Sequence, residues 1–119
     1  MSLTDILNQT LDEVAEAKFA GVVGIDGVGV ELIFNEADDG IDANLAELEL
    51  AALAASASGA SERVGSGAVR AFTIEAEALT YLAALVSPGY FAVLGIHAEN
   101  NDASRAALAK LVERLQEEL

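Results

Sequence analysis

The chain holds one histidine, His97, and no cysteine, so few residues could carry covalent or proton-transfer chemistry. A Ser-His-Asp arrangement would have to run through His97, with a serine such as Ser66 or Ser104 brought alongside. No Gly-x-Ser-x-Gly elbow is present, and His97 closes the apolar run Tyr90–His97, so it reads as a structural or surface histidine at a strand end. Asp38/Asp39 and Glu75/Glu77 have the composition of an acid–base pair. With twenty acidic residues in 119, however, close pairs arise by chance, and these fall in turns. The glycine pattern Gly24-x-x-Gly27-x-Gly29 superficially suggests a phosphate loop. Such loops lead into a helix N-terminus, and this one leads into the β-type run VELIFN with no lysine. In the acidic stretch Asn35–Asp42, an EF-hand register with Gly40 at the sixth position puts Ala37 and Ala46 where carboxylates are required. The residues therefore assign no catalytic group, no cofactor site and no metal site.

Composition narrows the partners. Twenty acidic against six basic residues give a net charge of -14. That field repels phosphate backbones and anionic lipid, which argues against nucleic acid and against membrane insertion, and it attracts a basic protein surface. The same acidity also suits solubility or a salty cytoplasm. Without cysteine there is no disulfide framework. The opening MSLTDILNQTLDE lacks the basic then apolar order of a signal peptide, and no apolar run reaches spanning length. The expected location is cytoplasmic, and the expected organisation is one domain over residues 1–119.

The periodicity alternates between two kinds of element. Leu3, Leu7, Leu11 and Val14 predict an amphipathic helix, capped by Ser2 or Thr4 and ending near Phe19. Gly21–Asn35 predicts a hairpin: Asp26-Gly27 suits a type I′ turn, and a two-residue loop puts Ile25 opposite Val28 and Val23 opposite Val30. Val69–Glu75, Leu79–Val86 and Tyr90–His97 predict three strands. The last two are apolar on both faces and belong in the middle of a sheet; Val69–Glu75, with Arg70, Thr73 and Glu75, has the composition of an edge. Gly95 is expected to let a helix approach closely. A final helix follows Asn101 or Asp102, with Leu108, Leu111, Val112, Leu115 and Leu119 as its stripe. The order is α-β-β-α-β-β-β-α.

The middle helix, Ile41–Ser58, is apolar on too many sides. Ile41, Leu45, Leu48, Ala52 and Ala55 form one stripe; Ala46, Leu50, Leu53 and Ala57 form a second, with Glu49 between. One stripe can be buried on the chain's own core, and the other needs cover from elsewhere, most simply a second copy. An unpaired edge strand at Val69–Ile74 would need protection as well.

This order, with GVVGIDGVGVELIF as the first hairpin, VGSGAVRAFTIE (Val64–Glu75) leading into the third strand, and YFAVLGIHAENNDASRAALAKLVERL (Tyr90–Leu115) running from the last strand into a helix, resembles the Roadblock/LC7 family, including its bacterial and archaeal MglB-like branch. The resemblance implies an α+β, profilin-like sandwich: a five-stranded antiparallel sheet with the middle helix on one face and the terminal helices on the other. It implies a homodimer, or a heterodimer with a paralogue, in which third strands pair edge to edge while the middle helices pack together. It also implies a non-enzymatic protein that binds a small Ras-like GTPase and modulates its nucleotide cycle.

On that expectation the dimer interface comprises Leu50, Leu53, Ala57, Val69, Arg70, Ala71 and Phe72. Asn44, Glu47, Ala51 and Ala54, on the remaining face of the helix, form the partner surface. A rigid helical platform could order a GTPase switch region and shift its conformational population without an arginine finger. Arg63 and Arg70, the arginines nearest the platform, are expected in structural or solvated roles. The alternative is a dimeric scaffold that recruits a signalling or motor component and leaves nucleotide turnover unchanged. Small-molecule sensing would require a pocket with converging polar groups.

Overall fold

A capping box starts the first helix, α1 (Leu3–Glu13): Asp5 N–H donates to Ser2 Oγ at 3.2 Å, and Ser2 N–H donates to the Asp5 carboxylate at 3.3 Å. The computed structural model describes residues 2–14, 17–26, 29–35, 42–96 and 101–118, and within these α1 ends at Glu13. The expected continuation to Phe19 is overturned, because Ala17–Gly24 is the strand β1. Phe19 pairs with Phe34 on one side and Gly95 on the other. Two hydrogen-bonded ladders and near-complete burial outweigh the helix propensity of a short Ala- and Lys-containing stretch.

β2 (Gly29–Phe34) returns beside β1. Ala20 opposite Ile33 and Val22 opposite Glu31 keep the register of a two-residue loop. A bulge between Val22 and Val23 then shifts it, so Val23 meets Gly29 in place of Val30, and Val30 is left exposed. Val28 and Gly27 lie outside the described residues.

The chain continues as α2 (Ala43–Val64), β3 (Ala71–Glu75), β4 (Thr80–Ser87), β5 (Tyr90–Ile96) and α3 (Asn101–Glu118). The five strands form one antiparallel sheet in the order β2-β1-β5-β4-β3. β4 and β5 are interior strands and β3 is an edge, as their side-chain patterns require.

α1 and α3 cover one face. Ile6, Leu7 and Leu11 meet Leu108, Leu111 and Leu115 over Ala20, Val22, Leu82, Ala92, Leu94 and Ile96. α2 covers the other, where Leu50, Ala51 and Ala54 pack with Phe19, Val23, Ala83, Phe91 and Val93. This is the sandwich with one helix on one face and two on the other. On the α2 face, Phe34, Phe19, Gly95, Tyr81 and Ile74 lie in register across all five strands. The Phe19 ring is 5.2 Å from that of Phe34 and 6.0 Å from that of Tyr81. It occupies the space where a Cβ on Gly95 would lie, so Gly95 makes room for a ring from the next strand and not for a helix.

Asp42 caps α2, its carboxylate accepting from Asn44 N–H at 3.0 Å and Leu45 N–H at 3.1 Å. The helix, expected to end at Ser58, continues to Val64. Gly65, at φ 91°, then reverses the chain, with Gly65 N–H bonded to Glu62 C=O and Ser66 N–H to Ser61 C=O.

Candidate partner-binding surfaces

Among the described residues α2 is the only helix on its face of the sheet, and it packs chiefly against β1 and β2. Its buried residues, Leu50, Ala51 and Ala54, lie in its first twelve residues; from Ala55 to Val64 none is fully buried. The face toward the sheet is built from small side chains because the helix sits close. Ala51 and Ala54 are 0% exposed, and Glu47 lies over Gly29, which offers no Cβ in its way.

Two expectations are corrected by this packing. Ala51 and Ala54, expected on the partner surface, are sealed against the chain's own sheet. Glu47, from the same set, is half-buried on β2; Asn44 alone is exposed. Leu50, expected at the dimer interface, is 7% exposed and belongs to the monomer's core. Sequence periodicity identified two apolar stripes but could not say which one the sheet would take. The discriminating signal was the alanine content of the third face, Glu47-Ala51-Ala54, since close helix–sheet approach favours small residues.

The outward ridge of α2 is therefore Leu45, Leu48 and Ala52. Leu45 is 54% exposed and Leu48 59%. Each leucine forgoes roughly 1 kcal/mol of the burial free energy available to it. Val64, at the end of the helix, is 81% exposed.

Beside α2, toward β3 and β4, the sheet is incompletely covered. A cleft of about 300 Å³ opens there, with Phe19, Ile74, Leu79 and Tyr81 as floor and Ala46, Glu49, Leu50 and Leu53 as wall. Leu53 and Ala57 on the helix, and Val69 and Phe72 on the sheet side, are half-buried. The Phe72 ring meets that of Phe91 edge-on at 5.7 Å. Arg70 and Ala71 are exposed at the start of β3. The structure thus places the whole expected interface set around one half-covered region, with Leu50 as its buried member on the cleft wall. Among the described residues the cleft's only polar liners are Glu49 and Tyr81, too few to fix a small polar ligand.

The two edges of the sheet differ. Leu85 N–H donates to Arg70 C=O at 2.7 Å, and the β3–β4 register continues from that pair. The main-chain groups of Phe72 and Ile74 are consequently spent on β4, while those of Ala71, Thr73 and Glu75 point away from the sheet. β2, at the opposite edge, carries the bulge; Glu31 accepts from Thr4 Oγ1 at 2.8 Å, and Glu47 crosses Gly29.

The opposite face is closed by a contact invisible to sequence periodicity. Arg114 of α3 donates to both Glu13 oxygens at 2.9 Å, and Lys110 stands 3.9 Å from the same carboxylate. The hydrogen bond from Arg114 holds the Glu13 carboxyl below its ordinary range against the opposing effect of partial desolvation, and both cations add to it. These residues are 101 positions apart, so only the fold brings them together.

The residues first considered for chemistry do not converge. Ser66, Glu75 and Glu77 are exposed. His97 and Asp38/Asp39 lie outside the described residues, as does the side chain of Ser104. Among the described residues no three acidic or histidine side chains are placed to hold a metal ion, and no helix is long and apolar enough to cross a membrane.

No family model matches the chain, and a search of curated proteins gives no match. Solved structures do match. MglC from Myxococcus xanthus is 30% identical across 100% of both chains, with a TM-score of 0.71. The Roadblock/LC7 domain from Streptomyces avermitilis is 17% identical, covering 98% of this chain and 96% of that one at a TM-score of 0.75. Myxococcus xanthus MglB is 15% identical over the same shares, at 0.79. The last two likenesses are of fold.

Proposed function

Since this chain belongs to the Roadblock/LC7 family, whose members are non-catalytic, we propose that it is a homodimeric regulator that binds a small Ras-like GTPase and modulates its nucleotide cycle. Residues 1–119 act as one such domain, in the cytoplasm. The observation that carries this reading is the double exposure of α2. Its inner face is spent on its own sheet, yet Leu45 and Leu48 are more than half exposed on its outer ridge, and Leu53 and Ala57 flank an open apolar cleft.

The two surfaces take different partners. The half-covered region of Leu53, Ala57, Val69 and Phe72, continuous with the exposed Arg70 and Ala71 and the free edge of β3, receives the second copy. The ridge of Leu45, Leu48 and Ala52, with Asn44 beside it, forms the platform for the GTPase in place of Ala51, Ala54 and Glu47. A rigid helix against a mobile switch region favours whichever switch conformation fits it, which changes hydrolysis or exchange by population shift. The net charge of -14 favours a GTPase with a basic face.

The test mixes the purified protein with a small Ras-like GTPase from the same source and measures hydrolysis and exchange rates. A change in either supports regulation. Saturable binding with both rates unchanged supports the scaffold alternative, and absence of binding to such GTPases defeats the regulator reading.

A further inference from the structure

We propose that the seam between α1 and α3 is a binding site for a small monocarboxylate with a short apolar body. The seam lies on the face of the sheet away from α2, so the site is independent of the dimer and of the GTPase platform.

A cavity of about 270 Å³ opens along this seam. Thr10 and Val14 of α1, with Ala106 and Ala107 of α3, form its floor. The room exists because α3 places alanines here, whereas deeper in the same interface Leu108, Leu111 and Leu115 pack with Ile6, Leu7 and Leu11. Thr10 is 2% exposed, and its hydroxyl already donates to Ile6 C=O at 3.1 Å, so the floor is essentially apolar.

The rim carries the charge. Arg114 holds both Glu13 oxygens through a single nitrogen, Nη2. The remaining N–H groups of its guanidinium have no partner among the described residues. Lys110 is 63% exposed and stands 3.9 Å from Glu13 Oε1, beyond hydrogen-bond reach. Clamping α1 to α3 needs only Glu13 and Arg114. Lys110 is left over, an ammonium beside an apolar floor.

A neighbouring cavity shows how particular this sign is. It measures about 280 Å³ and is bordered by Ile6, Arg114, Glu117 and Glu118, so one cation there meets two carboxylates. The first cavity has the reverse balance, two cations against Glu13. A carboxylate is drawn to the first and repelled from the second. The cleft beside α2 offers it no cation among the described residues.

The chain's net charge of -14 restricts the ligand's own charge. A single carboxylate in contact with Lys110 is governed by that contact, because more distant charges are screened over about 8 Å at physiological salt. Each additional negative charge would meet the acidic surroundings. The cavity is smaller than sites that take drug-sized ligands, which limits the apolar body to about four to six carbons.

Sodium hexanoate is the probe, titrated at constant ionic strength into nitrogen-15-labelled protein. The amides of residues 10–14 and 106–114 should shift and saturate, with a Kd on the order of 5 mM for so small a ligand. Hexan-1-ol, which has the chain without the charge, should give no saturable shift there. Lys110→Gln should weaken hexanoate about threefold while moving Tm by no more than about 1 °C. Ala106→Leu, at an exposed helical position, should occupy the floor and abolish saturation. Absence of saturable shifts along the seam overturns the site, as does saturation at the α2 cleft in its place. Equal binding of hexan-1-ol overturns the carboxylate and leaves an apolar gap. Unchanged affinity in Lys110→Gln overturns the role given to its ammonium.

Discussion

Among the described residues, fifteen apolar residues are buried and five more partly buried on the face of α1 and α3, and the two helices are tied together by Glu13 and Arg114. On the face of α2, nine of the described residues are buried, and seven more, including Val69, Phe72, Tyr81 and Leu85, are only partly so. The sheet is the same five strands in both cases; the difference lies in the cover. Two helices side by side span the inner strands, whereas one helix over β1 and β2 cannot reach β3. The first face is finished within the monomer and the second is not. Stability should therefore be dominated by contacts inherent in the sheet and its closed face, and association by the open one.

Substitutions can break or sharpen this contrast. The largest effect is expected at Gly95→Val, where the new side chain collides with the Phe19 ring in the middle of the sheet. A loss of about 3 kcal/mol, read as a lower urea midpoint, is expected, and a stability equal to wild type would show that the aromatic row is not rigid. Next is Leu53→Glu, which puts a charge on the wall of the open cleft. It should weaken self-association about 100-fold (roughly 3 kcal/mol) while the monomer still folds; an unchanged dimer mass in light scattering would assign the cleft to something other than a second copy.

Leu48→Glu, on the ridge, should alter fold stability by no more than about 0.5 kcal/mol and leave the dimer intact. It should weaken GTPase binding about tenfold, measured by titration calorimetry. If dimer mass falls instead, ridge and cleft are one surface. The smallest effect belongs to Glu13→Gln on the closed face. The Glu13 pKa is lowered in the folded protein by its hydrogen bond from Arg114. Its contribution is thus present above the unfolded carboxylate range and lost as pH falls through the folded value. The variant should melt slightly below wild type at neutral pH and converge with it in acid.

Much of the fold was legible because each strand and helix carries its own period. β4 and β5 announce their central position by being apolar on both sides, and β3 its marginal one by alternating with Arg70, Thr73 and Glu75. What escaped is tertiary in origin. α1 ends before β1 because Ala17 and Phe19 gain ladder partners from β2 and β5, which no local pattern reveals. Val30 leaves the expected register through a bulge.

The site was legible only in part. That α2 carries surplus apolar surface is written in its leucines, and the interface residues proposed around β3 follow from an unpaired edge. Which stripe of α2 meets its own sheet is decided by how closely helix and sheet approach, and hence by Ala51, Ala54 and the open space over Gly29. Glu13 and Arg114 carry no mutual signal at all, being single charges on two helices at opposite ends of the chain.

The bulge between Val22 and Val23 has a bearing on assembly. With Glu31 engaged by Thr4 and Glu47 laid across Gly29, β2 offers a poor template for a further strand. Growth of the sheet is then possible at one margin only, and a symmetric union uses that margin up. A protein with two open rims could propagate into a ribbon; this one, with one rim spoiled, would stop after a single pairing.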